Sequence, residues 1–114
     1  MQDDSFAVIL HNCGNAGQCT AAMVESGAAA LHFGNSIDMS SVFREVPDEI
    51  AVMGNVDPVG VMKLGTPQQV SMKVAELIDK AKGHSNFVLS TGCDVPPAAP
   101  IDNIEAFFRA AGYC

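Results

Sequence analysis

Apolar residues along this chain gather in four short runs, at 6–10, 28–33, 50–53 and 87–89. Runs of this length read as strands, and their near-continuous apolar character reads as burial on both faces of a parallel sheet. Each run leads into polar or glycine-rich residues: His11-Asn12-Cys13-Gly14, Gly34-Asn35-Ser36, Gly54-Asn55-Val56-Asp57-Pro58 and Ser90-Thr91-Gly92-Cys93-Asp94. A helical segment follows each. The clearest has Thr66 as N-cap and Pro67 at the first helical position. Val70, Val74, Leu77, Ile78 and Ala81 then form one apolar stripe, and Gly83 is placed to stop it. Another helix is expected to begin near Asp102, with Glu105 as its capping-box partner and Ile104, Phe107, Phe108 and Ala111 as its inner face. Shorter helices are expected over about 17–26, stopped by Gly27, and 39–45, stopped by Pro47.

The order is therefore β-α-β-α-β-α-β-α, an α/β pattern that calls for a parallel sheet with right-handed crossovers. An open doubly wound sheet and a piece of a β/α barrel both fit it. In either, chemistry gathers at the carboxyl ends of the strands, where the polar residues of this chain fall. The 114 residues suit a single domain, 1–114. Six Lys and Arg against thirteen Asp and Glu leave a net charge of −7, with no basic stripe to track phosphates, so nucleic acid is not an expected partner. The apolar runs fall far short of the roughly 20 residues that span a membrane. No basic segment precedes Phe6, so residues 6–10 read as a strand and not as a signal peptide, and the chain is expected to be cytoplasmic. Neither a Gly-x-Gly-x-x-Gly fingerprint nor a Gly-Lys-Ser/Thr phosphate loop is present.

Four cysteines remain to be explained: Cys13, Cys19, Cys93 and Cys114. Cys19 falls among helix-like residues and reads as a small buried hydrophobe, Cys114 as a terminal thiol. His11 and Cys13 are two apart at the end of the first strand, so both can face one side, and Cys93 holds the equivalent place after the fourth. An imidazole with two thiolates is a zinc ligand set that leaves a fourth position open, where a substrate thiol can be held as thiolate. The same residues also read as a buried cysteine pair beside a histidine hydrogen-bonded to the backbone.

The stretches His11-Asn12-Cys13-Gly14, Gly54-Asn55-Val56-Asp57-Pro58, Leu64-Gly65-Thr66-Pro67 and Ser90-Thr91-Gly92-Cys93-Asp94-Val95-Pro96-Pro97 together resemble the carboxyl-terminal part of the uroporphyrinogen decarboxylase superfamily. Within it, the His-x-Cys pair and the distant cysteine resemble the zinc motif of the methylcobamide methyltransferases that serve coenzyme M. The decarboxylases generally lack these cysteines. The resemblance implies a methyl group carried on a corrinoid protein and passed to a small thiol, with Zn²⁺ held by His11, Cys13 and Cys93. It further implies that His32 faces the same mouth and that Asp94 orients a ligand or attracts a cation. Asp57 reads more simply as turn chemistry, His84 as a cation suited to a helix end, and the six methionines as core. A decarboxylase-like fragment and a non-catalytic half-barrel remnant are the alternatives.

A β/α barrel needs about 250 residues and eight strands, so these four β/α units correspond to the carboxyl-terminal half of a TIM-type (β/α)8 barrel. The family's amino-terminal portion carries the principal arginine and aspartate residues of the decarboxylases, and decarboxylation by this chain alone is not expected. First and fourth strands lie roughly 14 Å apart in a flat sheet, while zinc bonds are only about 2.0–2.3 Å long. The sheet must therefore curve for one ion to meet both ends. The two open edges lead to the expectation of a homo-oligomer or of a separate chain supplying the missing half.

Overall fold

In the computed structural model, which describes residues 5–12 and 19–112, the alternation of runs and stripes becomes four parallel strands interleaved with four α-helices. They are β1 (Ile9–Asn12), α1 (Thr20–Glu25), β2 (Ala30–Phe33), α2 (Met39–Glu45), β3 (Ala51–Val56), α3 (Pro67–Lys80), β4 (Phe87–Thr91) and α4 (Ile101–Ala110), with a π-helical turn (Pro58–Lys63) between β3 and α3. The sheet order is β1-β2-β3-β4, all parallel. Three strands begin or end nearer the polar side than the apolar runs indicate. His11 and Asn12 lie within β1, Gly54 to Val56 within β3, and Ser90 and Thr91 within β4.

Strand alternation splits the side chains between two faces. Leu31, Phe33, Val52 and Val56 point into the helix layer and are almost wholly buried there with Met39, Val42, Val70 and Val74. The opposite face carries Ile9, His11, His32, Met53 and Val88, and stays open: Ile9 is 56% exposed and Val88 44%. The expected burial of the strands on both faces is thus corrected to burial on one. Apolar residues on the second face are what a barrel interior requires, so the run pattern alone does not reveal that nothing among the described residues covers it.

The helices follow local chemistry. At α3, Thr66 Oγ1 accepts from the Gln69 backbone N–H (3.2 Å) and Gln69 Oε1 accepts from Thr66 N–H (2.9 Å), a reciprocal capping box. Val70, Val74, Leu77 and Ala81 are buried as expected, but Ile78 sits at the rim, 40% exposed. Gly83 takes φ +84° just past the helix end. The capping box expected for α4 does not form. That helix starts at Ile101 behind Pro100, which leaves Asp102 inside the first turn, and Glu105 instead accepts from Arg109 Nη2 (2.6 Å) one turn on. Cys19 is also corrected: it stands at the N-cap of α1 and is exposed. The part of the expected first helix before residue 19, together with Cys13 and Cys114, lies outside the described residues. At α2, Ser40 N–H donates to Asp38 Oδ1 (3.0 Å) and Lys80 Nζ lies 3.4 Å from the same oxygen. Together they hold the Asp38 carboxyl below its ordinary value, the backbone hydrogen bond being the larger cause.

Three buried asparagines fasten the connections. The Nδ2 of Asn55 donates to Gly34 O and Ile37 O (3.0 and 2.7 Å), that of Asn86 to Pro47 O and Ile50 O (3.4 and 2.9 Å), and that of Asn103 to Met62 O and Gly65 O (2.9 and 2.9 Å). Each amide therefore ties two carbonyls three residues apart and satisfies groups that burial would otherwise strand.

Candidate functional site

The polar residues nominated by the sequence come to the open face and to the carboxyl end of the sheet. His11 and His32 are register partners on β1 and β2, so their side chains rise on the same side, with ring centroids 4.6 Å apart and planes tilted by 39°. His32 Nε2 lies 2.7 Å from Thr91 O and 3.4 Å from Ser90 Oγ. A carbonyl only accepts, so Nε2 carries the hydrogen of this contact. Ser90 Oγ donates to the same carbonyl (3.0 Å), and Thr91 Oγ1 donates to Cys93 O (2.7 Å). A line of contacts thus runs from His11 through His32 and Thr91 to Cys93, from one edge of the sheet to the other. Cys93 is half-buried and outside any disulfide.

The span this line crosses is shorter than a flat sheet allows. β2 and β4 are separated by β3, which places them about 9.5 Å apart in the flat case. Yet a Cβ added at Gly92 would fall 2.6 Å from Asn35 N and 3.1 Å from Gly34 C. The segments leaving β2 and β4 therefore meet over the end of β3, and only glycine fits at that meeting. The carboxyl ends of β2 and β4 thus converge more closely than a flat sheet allows. A second close approach lies at Gly54, where a Cβ would stand 2.9 Å from Phe33 O at φ +144°.

Of the remaining nominated residues, Asp94 is exposed. Asp57 is occupied by turn chemistry: its Oδ1 accepts from Val59 and Gly60 N–H (3.0 and 2.9 Å) at the start of the π-helical turn. His84 stacks on Phe43 (4.7 Å, 12°) in the helix layer. Met23, Met39 and Met62 are core, whereas Met72 is 69% exposed. Cys13 lies outside the described residues, and among those described no three His, Cys, Asp or Glu side chains form a group able to hold a metal ion. Sequence reasoning missed Thr91 and Ser90. Their only signal is their place at the carboxyl end of β4, because the contact with His32 spans 59 residues of sequence.

Parallel strands in sequential order, a helix after each and polar residues at the carboxyl ends define part of a β/α barrel. The chain belongs to the uroporphyrinogen decarboxylase (URO-D) family, whose model matches residues 2–113. It is 34% identical over 102 residues to uroporphyrinogen decarboxylase of Synechococcus sp. (strain CC9605), covering 90% of this chain and 28% of that protein. It is 29% identical over 111 residues to methylcobamide:CoM methyltransferase MtbA of Methanosarcina mazei, covering 97% and 31%. A solved methyltransferase from Methanosarcina mazei superposes with a TM-score of 0.81 at 23% identity, over 91% of this chain and 30% of that one, a likeness of fold. The chain spans less than a third of the length of these relatives. No helix among the described residues is long and apolar enough to cross a membrane.

Proposed function

We propose that residues 1–114 form one partial β/α-barrel domain of a zinc-dependent methyltransferase, which passes a methyl group from a methylated corrinoid, carried by a partner protein, to a small thiol such as coenzyme M. The observation that supports this most is the line of contacts from the His11 ring through His32 and Thr91 to the backbone carbonyl of Cys93, which runs between opposite edges of the sheet. The donor types suit zinc: His11 supplies nitrogen, and Cys13 and Cys93 supply sulfur. Bound there, zinc supplies a Lewis acid that favours the thiolate form of a substrate thiol. Two thiolates, from Cys13 and Cys93, would offset the charge of the ion and leave a substrate sulfur held there electron-rich. Asp94, exposed beside Cys93, would orient a ligand or attract a cation, and the Asp57 carboxylate is left to the turn.

A decarboxylase-like reading draws on the 34% identity to the Synechococcus protein, and metal content separates the two. Protein purified without added zinc is expected to carry about one zinc per chain and, once supplied with the rest of the barrel, to methylate a thiol from methylcobalamin. Well-folded protein with no zinc leaves the decarboxylase-like or non-catalytic reading.

The outer edges of β1 and β4 have no strand beside them in the described sheet, and Phe6, Ile9 and Val88 are exposed near them. The working form is proposed to be an assembly in which a second copy, or a separate chain with the remaining units, completes the barrel. Light scattering on a sizing column is expected to show a dimer for the purified chain alone or a one-to-one complex with the other half. A stable monomer that ignores an added amino-terminal half would rule out both.

A further inference from the structure

His32 has a place in the site that the ligand set does not use. Its Nε2–H is committed to Thr91 O at 2.7 Å, so that nitrogen offers no lone pair to a metal. Its ring lies against that of His11, which stands exposed on an edge strand. The hydrogen bond reaches over β3, and the receiving residue, Thr91, holds Cys93 O through its own hydroxyl at 2.7 Å. One side chain therefore touches the nitrogen donor and, one residue removed, the loop that carries a sulfur donor.

We propose that His32 is a positioning residue: with Thr91 it forms a brace across the sheet that orients the His11 ring and sets its separation from Cys93, so that both meet one ion. This rests on the zinc reading above. Outer partners of this kind are commonly worth 10–100-fold in metal affinity.

The test uses the whole chain labelled with ¹⁵N, first without metal. Long-range ¹⁵N–¹H spectra at neutral to mildly alkaline pH are expected to show His32 as the Nε2–H tautomer, and His11 ring signals that shift and broaden in His32→Ala. An Nδ1–H tautomer at His32, or unchanged His11 signals in the variant, overturns the brace. Zinc and cobalt(II) titrations follow. His32→Ala is expected to bind about 10–100-fold more weakly than wild type, with an altered cobalt visible spectrum and a nearly unchanged urea midpoint. His32→Gln, which can still donate to Thr91 O, is expected to recover part of the loss, and Thr91→Val to show a smaller loss of the same kind. Wild-type affinity and spectrum in a folded His32→Ala overturn the proposal. If the wild type takes up no metal at all, the zinc reading fails, while the metal-free spectra still decide the brace.

Discussion

Replacing Cys93 with alanine is expected to take the zinc content of the purified protein from about one per chain to near zero while the fold survives. Cys93 is half-buried in the segment after β4 and is not part of the hydrophobic core. The neighbouring hydrogen bond from Thr91 Oγ1 uses its backbone carbonyl, which alanine keeps. The stability cost should therefore be about 1 kcal/mol, the centre of the distribution for single substitutions. The metal pays a far larger penalty: under the zinc reading, two of three protein donors remain. The fall in affinity should exceed the 10–100-fold typical of losing an outer partner. Metal analysis and circular dichroism on one preparation read both halves of the expectation. A folded Cys93→Ala protein that keeps its full zinc would remove Cys93 from the ligand set.

The adjacent position behaves in the opposite way. Gly92→Ala is expected to destabilise the fold first and to weaken metal binding only as a result. Its added Cβ would meet Asn35 N at 2.6 Å, Gly34 C at 3.1 Å and Asn35 Cα at 3.2 Å. All three are backbone atoms, so no side chain can swing aside and the two segments must separate. Overpacking of this kind costs about 1–3 kcal/mol, a large part of the roughly 5–15 kcal/mol that holds a domain of this size. Separation also lengthens the hydrogen bond from His32 to Thr91, which depends on the same convergence. Urea unfolding should show a lower midpoint at an unchanged slope. An alanine variant as stable as wild type would mean that the segments after β2 and β4 do not meet as described.

What the sequence revealed is what is settled locally. The cap at Thr66 and the stripe from Val70 to Ala81 act within one helix, and both are present. The start of α4 falls within a residue of Asp102 as expected, but its capping box does not form, because an acidic residue suits the first turn of a helix nearly as well as its cap. Cys19 was misplaced because a short amphipathic segment does not announce which of its ends is buried. The location of His11 and His32 at strand ends was legible, since strand alternation alone places them on one face. Their contact with the end of β4 was not, because it depends on sheet curvature and on Gly92, which no periodicity encodes. The asparagine ties were equally hidden: Asn55, Asn86 and Asn103 each follow a small or polar residue, precede an apolar one and show no spacing of their own.

Those asparagine ties also set how far cooperativity reaches. Asn55 joins β3 to the turn after β2, Asn86 joins the entry of β4 to the turn before β3, and Asn103 joins α4 to the end of the π-helical turn. Each link binds one β/α unit to the next, so the block from β2 to α4 opens as a whole, in the manner of neighbouring repeats with strong interfaces. β1 and α1 join this block through the β1–β2 ladder, the contact between the His11 and His32 rings and helix contacts. His11 belongs to that outermost unit. An ion that draws on both His11 and Cys93 would therefore tie the first unit to the last, so that occupancy of the site and docking of the first unit would be coupled.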